Sequence, residues 1–382
     1  MKIVYIANVR FPTERAHGVQ IMSTCSALSL QGHDVELVVP RRNNTPKEDP
    51  FDFYHLTARF LVTYLPCFDF IKVEGTNRFA FILQSLSFLR SVFKTYGKLF
   101  KQKDVVVYGR EEMILAPLSL SAKNVFWESH MGNNNLFTKI LVKKAKGIVC
   151  ITKALARFYA EKGVSDARLH VAPDAVDVGR FESVQNDASI LRKELSLPLD
   201  VKIVTYSGSL GLYSWKGVDV FLDSLSFVPN EDVRFMLVGG SDEEVSVLKN
   251  KYTDSRIIFV GQIKPHLVPA YLKASDALVI PNKPGNAISE SYTSPMKLFE
   301  YMAARKPIIA SDLPSIREIV DGTRAFLCKA GDSKDLAIKI QESLRDKAEA
   351  LRKADLAYGT VLGYSWKIRA EKIVEFMNKC LV

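Results

Sequence analysis

Short apolar runs alternate with longer amphipathic stretches along most of the chain. That rhythm predicts βαβ units whose strands run parallel. In the first half, KIVYIANV, DVELVVP, DVVVYG, NVFWES and GIVCIT read as buried strands, each followed by a segment of helical spacing. The first helix is expected from the loop at Gly18 to about Gln31, where Gly32 ends it. The alternation pauses around Pro173 in HVAPDAVDVGRF, and a second series then begins. Its strands are VKIVTYSGS, VRFMLVGG, RIIFVG, ALVIP, KPIIAS and AFLCK.

Two successive series imply an α/β protein with two Rossmann-like halves joined near residues 175–200, with ligand outside the carboxyl ends of the strands. The expected division is 1–180, 181–358 and a terminal helix over 359–382. In SWKIRAEKIVEFMNKCLV, helical spacing places Trp366, Ala370, Ile373, Phe376 and Met377 on one face. Two readings stay open: the helix docks on the second domain, or it crosses back to the first.

The 382 residues suffice for two cores, and 47% hydrophobic with 25% charged residues is a globular composition. The five cysteines, at 25, 67, 150, 328 and 380, form no Cys-x-x-Cys pair. Reduced thiols in a cytoplasm are therefore expected, without a zinc site. No stretch has the uninterrupted apolar length of a spanning helix; the nearest, Arg78–Phe100, is broken by Gln84, Arg90, Lys94 and Lys98. The 52 basic and 42 acidic residues leave a net charge of +10, which favours anionic partners. No recognition helix or base-stacking module accompanies that charge, so nucleic acid is not the expected partner. The segment 51–103 mixes Phe, Leu and Tyr with Arg78, Arg90, Lys94, Lys98, Lys101 and Lys103. It reads either as core helix, the preferred reading for 79–89, or as a helix lying peripherally on an anionic membrane surface.

Candidate chemistry clusters at strand ends. In SYTSPMKLFEYMAARKP, Ser294 is expected as N-cap, Pro295 at the first helical position, and Met296 to Arg305 as helix. The loop 281–294 before it leaves the strand ALVIP, so the helix start would offer free amides to a phosphate. Glu300 lies one turn deeper, where a carboxylate can accept two hydrogen bonds from a vicinal diol. After VKIVTYSGS, the glycines 208, 211 and 217 surround Lys216, which can neutralise a diphosphate. His130 follows NVFWES and can bond a sugar hydroxyl or support proton movement. Near the N-terminus, Gly18 sits among Arg10, Arg15 and His17 and would turn helix amides toward an anion.

Taken together these segments resemble the retaining glycosyltransferases of family GT4 over nearly the whole chain. The likeness rests on SPMKLFEYMAARKPIIASDLPSIREIV, YSGSLGLYSWKGVDVFLDSL, PTERAHGVQIMSTCSALSLQGHDVELVVP, WESH and HVAPDAVDVGRF, in that family's order. The resemblance implies a GT-B fold, two domains facing each other across a cleft, and a nucleotide-diphosphate-sugar donor. It also implies retention at the anomeric carbon and no catalytic metal or other cofactor. The acceptor class it implies is a glycan or a lipid-linked molecule. By position, Glu300 matches the family's ribose-binding glutamate, and Lys216 its phosphate-binding lysine. Ser294, Pro295, Met296 and Lys297 match the turn whose amides meet the diphosphate. His130 matches the histidine near the transferred sugar, and Gly18 the N-terminal glycine loop. Two positions depart: Tyr292 stands where a sugar-contacting glutamate is usual, with Glu290 two residues too early, and Ser209, after Gly208, where an arginine commonly partners the lysine. A sugar-nucleotide epimerase, a phosphorylase and a non-catalytic nucleotide-sugar-binding protein are the alternative functions.

Overall fold

The structure, a computed structural model, describes residues 1–43, 48–70, 78–211, 213–229 and 231–382. The chain forms two compact units, Met1–Pro173 with Trp366–Val382, and Asp174–Ser365.

In the first unit seven parallel strands form one sheet: β1 (Lys2–Ile6), β2 (Asp34–Arg41), β3 (Leu61–Pro66), β4 (Val105–Gly109), β5 (Val125–Ser129), β6 (Gly147–Cys150) and β7 (Leu169–Val171). Their order is β3-β2-β1-β4-β5-β6-β7. In the second unit β8 (Lys202–Ser207), β9 (Val233–Val238), β10 (Ile257–Gly261), β11 (Ala277–Ile280), β12 (Ile308–Ser311) and β13 (Phe326–Cys328) lie in the order β10-β9-β8-β11-β12-β13. The chain builds each sheet outward on one side, then returns to the middle and builds the other. The reversal falls between β1 and β4, and again between β8 and β11. In open α/β sheets, ligands bind at such a point, outside the carboxyl ends of the strands.

Central strands are apolar on both faces because helices cover both sides. Tyr206, Phe221, Phe235, Ala277 and Ile309 pack in one core of the second unit; Leu278, Leu298, Phe299, Met302 and Ile308 pack in another. All six strands expected in this half are present. The first unit adds two strands beyond expectation, β3 and β7, at the two edges of its sheet.

Instead of 180/181 and 358/359, the unit boundaries fall at 173/174 and 365/366. The reason is a local pairing: the Val176 amide donates to the Tyr364 carbonyl at 3.0 Å, and Val176 bridges Ser365 in parallel. That pairing binds both connecting segments into the second unit.

The terminal helix Trp366–Leu381 belongs to the first unit, so the docking on the second domain is set aside. It packs on the helix Ala16–Leu30, and all five residues assigned to its apolar face are buried. Phe376 stacks on His170 at 5.2 Å and meets the Phe126 ring edge-on at 6.0 Å. Phe376→Ala should lower stability by about 3–5 kcal/mol, measured as a shifted urea transition of tryptophan fluorescence.

Candidate functional site

In the second unit, the loops on either side of the β8/β11 reversal are tied together. The Lys283 amide donates to the Trp215 carbonyl at 2.7 Å, and Lys283 Nζ reaches Asp219 at 2.8 Å. Gly217, with φ +70, closes the junction; a Cβ there would stand 1.8 Å from the Pro281 oxygen, so only glycine fits. A third loop joins through Glu244, which caps its helix with Ser241 and accepts from the Gly211 amide at 2.9 Å.

Lys216 projects from this junction. Its ammonium lies 5.0 Å from the Tyr213 ring centroid and 5.9 Å from that of Trp215, with no hydrogen bond or ion pair among the described residues. Burial holds its pKa below the usual lysine value, against the pull of Glu244. Lys297 stands on the helix Met296–Ala303, with Nζ 3.7 Å above the centroid of the Tyr206 ring. That nitrogen is shielded from water and has no hydrogen-bond partner among the described residues. Burial lowers the Lys297 pKa well below the ordinary value; the charge of Lys216 lowers it further, and Glu300 opposes both. The carboxyl of Glu300 has a raised pKa through burial, moderated by Lys297 and Arg180. It makes no hydrogen bond or ion pair among the described residues. Asn282, just past β11, also carries a buried amide nitrogen without an acceptor among the described residues. Lys297 therefore lies within electrostatic reach of both Lys216 and Glu300. The three form one neighbourhood rather than separate faces.

The helix start differs from expectation. Pro295 occupies the N-cap, the helix begins at Met296, and it ends at Ala303 rather than Arg305, whose φ is +54. Ser294 does not cap: its hydroxyl accepts the Asp174 amide at 2.9 Å, fixing the start of this unit. The amides of Met296 and Lys297 have no intrahelical acceptor, while that of Leu298 donates to the Pro295 carbonyl at 2.8 Å. Tyr292 ends a single wide turn of π-helix, Ile288–Tyr292, and Glu290 accepts the Gly285 amide at 2.7 Å. Glu290 thus braces its own loop. The Ser209 carbonyl accepts the Tyr206 hydroxyl at 3.0 Å, and the amide of Gly208 donates to Val238 at 2.8 Å.

In the first unit, a buried carboxylate organises the strand ends beside the β1/β4 reversal. Glu128 on β5 is fully buried and ion-paired with Arg369 of the terminal helix at 3.1 Å. It also accepts hydrogen bonds from Gln20 and Tyr108. Burial alone would raise its pKa; Arg369, His130 and Tyr108 outweigh that and hold it far below the usual carboxylate value. His130 Nε2 lies 2.7 Å from Glu128 Oε1. A charged acceptor there fixes the proton on Nε2 and leaves Nδ1 as an acceptor. Burial first, then Arg110, lowers the His130 pKa to about 4, so the ring is neutral near pH 7. Burial and Arg110 likewise lower His17 to about 3.

Gly18 does not open the first helix, which begins at Ala16. Its amide donates to the Arg15 carbonyl at 2.9 Å, and a Cβ would stand 2.1 Å from the Tyr54 hydroxyl. Gly18 is thus a packing residue, with no amide to spare for an anion. Neither Glu128 nor Arg369 stood out in the sequence. Glu128 sits in an apolar strand, but its place two residues before His130, on the same strand face, was a usable signal.

Residues 201–346 match the family model described as glycosyl transferases group 1, within the second unit. The second unit is therefore a glycosyl transferases group 1 domain. A phosphatidyl-myo-inositol mannosyltransferase of Mycobacterium leprae is 33% identical over 164 residues, 42% of this chain and 42% of the relative. An uncharacterized glycosyltransferase of Methanocaldococcus jannaschii is 26% identical over 250 residues, 63% of this chain and 59% of the relative. The chain thus spans about half the length of the curated relatives it matches. Anabaena HepE, solved with UDP and glucose, aligns with TM-score 0.77 and 17% identity over 99% of each chain. The fold is GT-B, with two Rossmann-like units built on parallel sheets of seven and six strands.

The depressed imidazoles carry a pH signature. Both histidines bind a proton less readily in the folded chain than in the unfolded one, so acid favours unfolding. Their contribution to stability should be complete above about pH 6.5. It should fall as pH drops toward the folded value of about 4 for His130. Urea unfolding across this range should show that slope, and His130→Gln should reduce it.

Proposed function

We propose that the chain is a glycosyltransferase that moves a sugar from a nucleotide-diphosphate donor to a glycan or lipid-linked acceptor, retaining anomeric configuration. The observation that carries this reading is the gathering of Lys216, Lys297 and Glu300 beside a helix start at the β8/β11 reversal. UDP in the HepE structure supports the donor class.

In this reading the diphosphate lies against Lys216 and the free amides at Met296 and Lys297, and Glu300 accepts two hydrogen bonds from the ribose diol. As the bond to the anomeric carbon breaks, negative charge grows on the departing phosphate and an oxocarbenium-like sugar forms. Lysine and helix amides stabilise that charge without reorganising, which is where most of the rate enhancement would come from. The departing phosphate accepts the acceptor's proton, so no side-chain base and no metal takes part. Neutral His130, its Nδ1 free to accept, would bond a sugar hydroxyl. Tyr292 and Ser209 would shape the sugar side of the donor site.

Lys216→Ala and Glu300→Ala should each reduce donor turnover by about ten- to a hundredfold, the loss of one charged hydrogen bond, with unchanged circular dichroism. A thermal-shift panel of UDP-, GDP- and ADP-sugars should show stabilisation by at least one donor. Turnover of donor without acceptor would favour the epimerase, a need for orthophosphate the phosphorylase, and binding without turnover a non-catalytic protein.

We also propose that the first unit approaches a lipid-linked acceptor at the cytoplasmic membrane surface. No helix among the described residues is long and apolar enough to cross a membrane. Residues 71–77 lie outside the described residues, but the flanking chain changes the expectation that 79–89 is core. Ala80, Gln84, Ser85, Phe88 and Leu89 are buried, while Phe68, Phe70, Phe79, Phe81 and Leu86 are exposed. Phe79 is 69% exposed, too much apolar ring in water for a packing residue. Arg78, Arg90, Lys94 and Lys98 flank these rings and suit anionic headgroups. The protein should float with vesicles containing phosphatidylserine or phosphatidylglycerol at low salt, and Phe79→Ser with Phe81→Ser should weaken flotation. Absence of flotation at low salt would end this part of the reading.

A further inference from the structure

Lys297 has no structural reason to be a lysine. Its nitrogen is sealed from water, has neither hydrogen bond nor ion pair among the described residues, and shares its surroundings with a second lysine. A methionine would cover Tyr206 and fill the same space without the cost of burying an ammonium. The Tyr206 ring 3.7 Å below and the charge of Glu300 offset only part of that cost. Such a group is retained where something absent from the protein completes it.

Its position indicates what that is. The Cβ that Gly208 lacks would stand 3.1 Å from Lys297 Nζ, so the ammonium lies against the backbone just before Ser209, filling the space a side chain at 208 would take. Lys216 is near enough to lower the Lys297 pKa, and Lys216 too makes no ion pair among the described residues, Glu244 acting on it only at longer range. Two cations and the first-turn amides of one helix call for a compact ligand with at least two negative charges. Glu300 supplies one carboxylate beyond them, without contact to either ammonium.

We infer that the Lys297 side chain is a second diphosphate ligand, supplying from the helix Met296–Ala303 the positive charge that Ser209 cannot supply from the loop after β8. The inference rests on the donor class proposed above. It turns the departure at Ser209 into a relocation of charge. The loop loses a cation, and the helix three residues before Glu300 gains one. The ammonium also gains a distinct behaviour. When an anion binds, its preference for the proton rises, so binding takes up a proton wherever the free site is partly neutral. Affinity should then fall as pH rises through that window.

Calorimetric titration of the full chain with inorganic pyrophosphate and with UDP, GDP and ADP, in buffers of differing ionisation enthalpy, tests this. Wild type should bind pyrophosphate and at least one nucleotide with proton uptake. Lys297→Met should bind about tenfold or more weakly, with the uptake abolished. The proton uptake of the wild type keeps the test intact should that variant fail to fold. Equal affinity and equal uptake in Lys297→Met, or no uptake in the wild type, overturns the inference and leaves the donor reading standing. Failure of the wild type to bind any of the four anions overturns both.

Discussion

The second unit is organised around a concentration of positive charge, Lys216 and Lys297, that no ion pair among the described residues neutralises. Parallel strands deliver all their following loops to one sheet edge, and the reversal between β8 and β11 brings two of those loops side by side. The Lys283–Trp215 and Lys283–Asp219 bonds then fix their spacing. Against that frame, Lys216 and Lys297 are held near each other although like charges repel, and the helix start adds further positive potential. The packing of Leu298, Phe299 and Met302 into the core beneath offsets the cost.

The first unit solves the opposite problem. One carboxylate, Glu128, is buried beyond any reach of water and would be costly alone. Arg369, Gln20, Tyr108 and His130 surround it, so the charge is paid in hydrogen bonds. Each of those partners is fixed in return. Imidazole orientation, helix position and sheet edge become a single cooperative unit around one negative charge.

Much of this was legible in the sequence where physics is local. The strands of the second half are continuous apolar runs and were all recognisable. The edge strands β3 and β7 were not, because LVTYLP is largely half-exposed and LHV has only three residues. Helix periodicity found the buried face of Trp366–Leu381, but periodicity cannot say which sheet that face covers. Lys216 and Glu300 were identifiable from glycine spacing and helix position. The buried side chain of Lys297 was not, since its isolation depends on the ring of Tyr206 and the backbone at Gly208, distant in sequence. Gly18 misled because a glycine demanded by close packing looks, in sequence, like one demanded by a ligand. Ser294 misled similarly, its hydroxyl being claimed by Asp174 from a remote segment.

The ion pair between Glu128 and Arg369 joins the fifth strand to the last helix of the chain. During synthesis, everything from β1 through β7 emerges long before residues 366–382 leave the ribosome. Until then Glu128 has no guanidinium, and the apolar surface that Phe376 and Ile373 will cover stays wet. The unit that begins the polypeptide thus receives its last helix only after the whole of the second unit has been synthesised.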